Sequence, residues 1–220
     1  MSGKESKIAI WGSGGTSKEI AFLIEDINKH NNSKQFKILG FIEKDDRKKN
    51  IEISGYRILG TYDVLNEVDC DGFVIPIGSP WIKMKILNEE ISRIKKNLVA
   101  YNLIHPSVIL RNEYIDFGIG NIICAGTVLT TDIKFGNFNL INRNCTIGHD
   151  VIIGDFNVIN PITSISGGVK MGNNNLIGTG VKILQNLEIG NDITIGAGAV
   201  VTKNILDSGT YIGMPAKKKQ

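Results

Sequence analysis

The chain has 220 residues, 42% hydrophobic and 21% charged, the make-up of a folded globular protein rather than a disordered one. A net charge of +3, with five of the lysines near one end of the chain or the other (Lys4, Lys7, Lys217, Lys218, Lys219), is too little and too dispersed to argue for a nucleic-acid surface. The start, residues 1–6, is polar and no run approaches the roughly 20 apolar residues of a membrane span, so neither leader nor span is expected. Cys70, Cys124 and Cys145 are scattered without metal-ligand spacing and read as reduced, buried thiols of a cytoplasmic protein.

Residues 7–11 form a short apolar strand, and Gly12-Ser13-Gly14-Gly15 leads from it into a helical run over 16–28. Ile20, Leu23, Ile24 and Ile27 share one face of that run at i, i+3, i+4, i+7 spacing. A strand follows at 38–42, then a charged turn at 43–50 and a short helix at 62–67. A strand over 72–77 ends at Gly78, a helix covers 81–96 and a further strand 98–104. Strands alternating with helices predict a Rossmann-like parallel sheet with right-handed crossovers over residues 1–104. His105-Pro106 marks the boundary, because proline interrupts regular structure, and 105–220 is the second domain.

A glycine turn between first strand and first helix is where open α/β sheets hold phosphates, on backbone N–H groups and the helix N-terminus. The dinucleotide pattern G-x-G-x-x-G is incomplete here, because Ser17 stands in the last glycine position. Two readings stay open for Gly12, Ser13 and Gly14: a tight structural turn, or a cradle for another phosphorylated ligand. Glu43 and Lys44 after the second strand, and Gly78 after a later one, reach the same sheet edge, so three loops converge on a crevice.

From Phe117 the period changes. Every sixth residue is large and apolar: Phe117, Ile123, Leu129, Phe135, Ile141, Ile147, Ile153, Ile159, Ile165, Met171, Ile177, Ile183, Ile189, Ile195, Val201. Gly118, Gly136, Gly154, Gly172 and Gly190 recur every eighteen residues, so one coil holds three short strands and three corners. Such a repeat predicts a parallel β-helix whose stacked apolar column is the core, with coils about 4.8 Å apart. The recurring glycines are expected to supply a positive φ or a tight bend at one corner of each coil. Asn137, Asn139, Asn173, Asn174, Asn175 and Asn191 read as corner residues and side-chain ladders.

Of three histidines, His30 sits at a helix C-terminus and His105 at the domain junction, both structural positions. His149 lies two residues after Ile147, on a corner, with Asp150 beside it. Imidazole accepts a proton near neutral pH, and a neighbouring carboxylate fixes its tautomer. Eighteen residues on come Gly167 and Gly168, an open backbone N–H one coil above, about 5 Å away. A base beside an unobstructed amide donor is the minimum equipment for acyl transfer. A metal-dependent hydratase on such a solenoid needs several histidines, and only His149 lies within it, so no metal is expected.

The sixfold register, Gly148-His149-Asp150, Ser166-Gly167-Gly168 and the tail Gly213-Met214-Pro215-Ala216-Lys217 resemble hexapeptide-repeat acyltransferases. With its α/β half, the whole chain resembles the sialic acid O-acetyltransferase and bacillosamine N-acetyltransferase family. The resemblance implies a left-handed β-helix, acetyl-CoA as donor, a nucleotide-linked sugar as acceptor and a homotrimer with active sites between subunits. It implies His149 as base, Asp150 as its carboxylate, Asn142 near the acceptor amine and Gly167, with Gly168, at the thioester carbonyl. Gly12, Ser13, Gly14, Glu43 and Lys44 correspond to the nucleotide-sugar site, and Pro215 and Lys217 to the coenzyme's adenosine end. Family members often carry a second histidine nine residues after the base; here that position is Val158, with Asn160 nearby as a substitute donor to the acetyl group. The expected reaction is N-acetylation of a nucleotide-linked amino sugar in bacterial surface-glycan or glycoprotein biosynthesis. O-acetylation of a sialic acid-like sugar is the alternative, and a non-catalytic nucleotide-sugar-binding scaffold a third reading.

Overall fold

The structure, a computed structural model, describes residues 5–30 and 35–219; Met1–Lys4, part of the polar start noted above, lie outside them. Contacts divide the chain into two units, one of residues 1–78 with 82–106 and one of 79–81 with 107–220.

The first unit is an α/β sheet. Strands β1 (Ser6–Trp11), β2 (Phe36–Ile42), β3 (Glu52–Ile53), β4 (Tyr56–Gly60), β5 (Gly72–Val74) and β6 (Val99–Ala100) lie in the order β3-β4-β2-β1-β5-β6. All neighbours are parallel except the β3–β4 hairpin. Helix α1 (Gly15–His30) buries Ile20, Ala21, Leu23, Ile24 and Ile27, the face its spacing predicted. Helix α2 (Pro80–Glu89) is shorter than the predicted 81–96, and a 3-10 turn at Ile91–Arg93 follows it. The helix expected at 62–67 is a 3-10 turn, Tyr62–Asn66, too short for an α-helical core face. The strand expected over 98–104 is broken into Val99–Ala100 and Leu103–Ile104. The β3–β4 hairpin escaped the sequence reading because β3 is only two residues long, too short to show an alternation, and β4 pairs on its other side with β2. A Cβ on Gly40 would meet the Arg57 carbonyl oxygen of β4 at 2.3 Å, so glycine lets the two strands approach.

The second unit is a parallel β-helix whose strands pair at eighteen-residue intervals. One ladder stacks Val128–Leu129, Thr146–Ile147, Ser164–Ile165, Lys182–Ile183 and Val200–Val201. A second runs from Ile115–Phe117 to Glu188–Ile189. The third includes Ile122–Ile123, Leu140–Ile141 and Val158–Ile159, and ends on Gly209–Ile212 and the antiparallel Lys217–Lys218. Of the predicted apolar column, every member from Ile123 to Val201 is buried, and Phe117 at its head stacks on Phe135 with centroids 5.1 Å apart.

The corners correct one expectation. None of Gly118, Gly136, Gly154, Gly172 and Gly190 has a positive φ. They are glycine because a Cβ would press on the next coil's backbone: 2.5 Å from the Gly136 carbonyl oxygen for Gly118, and 2.8 Å from that of Gly154 for Gly136. Positive φ falls two residues later and recurs every six, from Gly120 (+69°) through Asn144, Asp150 and Gly168 to Gly198 (+69°). Gly, Asn or Asp fills these left-handed corners except at Phe138, Phe156 and Ile162.

Two polar ladders thread the coils. Asn121, Asn139, Asn157 and Asn175 are at most 1% exposed, and the Oδ1 of each of the first three accepts the backbone N–H of the next at 2.9–3.0 Å. Outside them a second ladder runs the other way: the backbone N–H of Asn137, Asp155 and Asn173 each donates to the Oδ1 of the residue one coil on, Asp155, Asn173 and Asn191.

Candidate functional site

The β1–α1 turn is shaped by Gly12, whose φ of +79° and contact with Ile77 leave no room for a side chain. Its N–H donates to the Ile42 carbonyl at 2.7 Å, tying the loop to the end of β2. A Cβ on Gly14 or Gly15 would meet nothing within 4 Å, so the loop's outer side is open space above the N-terminus of α1. From the end of β2, Glu43 reaches back and accepts both the Ser13 N–H (2.8 Å) and the Ser13 hydroxyl. Its other oxygen lies 3.6 Å from the Lys48 ammonium.

These groups wall a cleft of about 460 Å³. Gly12, Ser13, Gly14, Glu43 and Lys44 are all on it, as their shared sheet edge predicted, whereas Gly78 is not: the lining residue after β5 is Ile77. Strand β5 ends at Val74, so the chain has already turned from the edge before it reaches Gly78. The opposite wall was missed. It consists of Ile82, Lys85 and Ile86 on α2 and Glu90 just beyond, with Trp11 between the walls. The Trp11 indole N–H donates to Glu90 Oε2 at 2.9 Å across seventy-nine residues of sequence. A Trp at a strand end was the available signal, since a buried indole requires an acceptor. The cleft thus offers apolar flanks, an open helix N-terminus, two lysines and two held carboxylates.

On the β-helix, His149 Nδ1 lies 2.7 Å from Asp150 Oδ2, and the two side chains are 66% and 67% exposed. The backbone beneath them is clamped: the Asp150 N–H donates to the Thr131 carbonyl at 3.1 Å, and the His149 carbonyl accepts the Gly168 N–H at 2.8 Å. Asp150 occupies a left-handed corner (φ +58°), which turns its carboxylate onto the preceding imidazole. The ring lies over Gly167, where a Cβ would fall 2.5 Å from Nε2. Among the described residues no acceptor is recorded for the Gly167 N–H, whereas that of Gly168 is committed to His149. An imidazole donating Nδ1–H to Asp150 keeps Nε2 as an acceptor, and it stands beside an amide donor.

The remaining expected residues lie elsewhere. Asn142 is 8% exposed and its Nδ2 donates to Asn160 Oδ1 at 3.4 Å. Both follow the Leu140/Val158 ladder, whereas His149 follows the Thr146 ladder, so this pair sits one corner away from the imidazole. Val158 is fully buried and presents no surface to an acetyl group. Pro215 follows a cis peptide bond, and Lys217 pairs antiparallel with Ile212, both exposed on the tail. No group of three or more candidate metal ligands occurs among the described residues, and no described helix is long and apolar enough to cross a membrane.

Residues 7–89 match the PglD N-terminal domain model, and residues 168–203 match the bacterial transferase hexapeptide (six repeats) model. No curated protein sequence matches the chain. Among solved structures, PerB from Caulobacter crescentus, in complex with CoA and GDP-perosamine, is 25% identical with a TM-score of 0.84, covering 98% of both chains. The acetyltransferase domain of PglB from Neisseria gonorrhoeae, in complex with acetyl coenzyme A, is 25% identical with a TM-score of 0.84, covering 98% of this chain and 100% of that one. WeeI from Acinetobacter baumannii is 27% identical with a TM-score of 0.81, covering 97% and 100%. The chain therefore joins a PglD-type α/β domain to hexapeptide repeats, and its solenoid is the left-handed parallel β-helix that the resemblance implied.

Proposed function

We propose that this hexapeptide-repeat, acetyl-CoA-dependent acyltransferase acetylates the amino group of a sugar carried on a nucleotide. The observation that carries the reading is the His149–Asp150 pair lying over Gly167, in one chain with an open glycine-loop cleft. PerB, with CoA and the nucleotide-linked amino sugar GDP-perosamine bound, supports this choice of donor and acceptor.

The neutral amine attacks the thioester carbonyl as His149 Nε2 accepts its proton, and Asp150 stabilises the imidazolium through Nδ1–H. The Gly167 N–H donates to the oxyanion of the tetrahedral intermediate. Collapse of that intermediate breaks the C–S bond and releases coenzyme A, with the proton returned to the thiolate. An amine needs less activation than a hydroxyl, which suits a site with a single imidazole and favours N- over O-acetylation. The second corner, with Asn142 and Asn160, completes the site if a neighbouring copy presents it, as in a homotrimer with sites between subunits. Pro215 and Lys217 then hold the coenzyme's adenosine end, and Gly168 fixes the backbone from which His149 projects. The setting is cytoplasmic synthesis of a bacterial surface glycan or glycoprotein.

Thiol release from acetyl-CoA, measured against nucleotide-linked amino sugars, their hydroxyl counterparts and free sialic acids, tests this. Turnover confined to the amino sugars is the expected result; turnover only with hydroxyl acceptors overturns it.

A further inference from the structure

A smaller cavity of about 150 Å³ adjoins the cleft of the α/β unit and is lined by Lys44, Thr61, Tyr62, Glu89, Glu90 and Arg93. Lys44 and Glu90 line both cavities, so the two form one groove that starts at the glycine loop and ends at Tyr62 and Arg93. We propose that the smaller cavity is a nucleobase subsite selecting guanine, so that the acceptor sugar is carried on guanosine diphosphate. The proposal rests on the nucleotide-sugar reading above and adds the identity of the base.

The order of parts along the groove follows from charge. The open space over Gly14 and Gly15 at the N-terminus of α1 marks the diphosphate end, with Lys44 and Lys85 as its cations. A nucleoside diphosphate is linear, so the base lies on the far side of Lys44. Of the cleft carboxylates, Glu43 is already bound to the Ser13 N–H and hydroxyl. Glu90 has only Oε2 engaged, by the Trp11 indole, which fixes the carboxylate and leaves Oε1 to a ligand. Its neighbour Glu89 lies 3.8 Å from the Lys85 ammonium and is 57% exposed.

A carboxylate accepts and cannot donate. Guanine presents N1–H and the 2-amino group side by side, two donors that one carboxylate takes together. Uracil and thymine place one N–H between two carbonyl oxygens, which a carboxylate repels, and adenine and cytosine set their amine beside a ring acceptor. The remaining polar edge of guanine, O6, needs a donor. Arg93 supplies one: its Nη1 donates to the Tyr62 hydroxyl at 3.4 Å, which brings a guanidinium and a phenol ring together at the cavity wall. The Tyr62 ring beside it offers a flat face on which the base stacks.

Calorimetric titration of the full chain with guanosine, inosine, uridine and thymidine diphosphates tests the assignment. Guanosine diphosphate should bind about ten-fold tighter than the pyrimidine diphosphates, the worth of one charge-assisted hydrogen bond. Inosine diphosphate, which lacks the 2-amino group, should lose most of that margin. Glu90→Gln should abolish the preference by weakening guanosine diphosphate and tightening uridine diphosphate, with an unchanged circular dichroism spectrum showing that the variant is folded. Arg93→Ala should weaken the guanosine compound selectively. Uridine or thymidine diphosphate binding as tightly as guanosine diphosphate overturns the guanine subsite and leaves the nucleotide-sugar reading standing. Retention of the preference by Glu90→Gln overturns the assigned recognition. Absence of binding by all four at millimolar concentration removes the nucleotide reading and the subsite with it.

Discussion

The two units place their polar groups in opposite ways. In the β-helix, polar side chains inside the solenoid satisfy one another along its axis, as in the fully sequestered run from Asn121 to Asn175. In the α/β unit, Ser13, Glu43, Lys44, Lys85 and Glu90 gather at the edge of the sheet and face a cleft. The solenoid closes its interior positions against their equivalents one coil away, so little inside it remains for a ligand. Its chemistry is pushed onto corners, where His149 projects 66% exposed from a backbone clamped above and below. The open sheet ends its strands at a common edge and gathers its loops around a cleft there, so its chemistry is recessed.

If this division holds, corner substitutions will remove catalysis without unfolding the chain, and ladder substitutions will do the reverse. The largest expected effect is that of His149→Ala: a fall of about 10³-fold in kcat, the worth of a positioned general base, with an unchanged circular dichroism spectrum. Near-normal turnover would remove His149 from the mechanism. Gly167→Ala comes next, at about 100-fold in kcat, because the new methyl occupies the space 2.5 Å from Nε2 and swings the imidazole away. The exposed ring yields easily, so the melting temperature should stay nearly constant.

Asn157→Ala should show the opposite profile. It removes the side-chain partner of the Gly172 carbonyl and of the Asn175 N–H, and the second of two donors to Asn139 Oδ1, and should cost about 3 kcal/mol in urea unfolding. Asp150→Asn should lower kcat about ten-fold, since Asn tolerates the left-handed corner but holds the imidazole tautomer less firmly and cannot offset the imidazolium charge. The smallest effect is a gain. Ile162 is a β-branched residue at φ +62° and 63% exposed, so Ile162→Gly should stabilise the coil by roughly 0.5–1 kcal/mol. A loss instead would show that its exposed side chain is packed against another molecule.

The sequence by itself determined the β-helix, its coil length, the buried column from Ile123 to Val201 and the juxtaposition of His149 with Gly167. These are legible because each strand pairs with the one eighteen residues on, so a fixed spacing in sequence becomes a fixed distance in space. It also placed Gly12, Ser13, Gly14, Glu43 and Lys44 on one edge, because each ends or follows a parallel strand. Only the tertiary structure decided the rest. The role of the recurring glycines had to wait, since crowding by the next coil and positive φ call for the same residue and differ only in three dimensions. The far wall of the cleft had to wait as well: Trp11 meets Glu90 because a parallel sheet and a crossing helix bring distant segments together, and no period in the chain records such a contact.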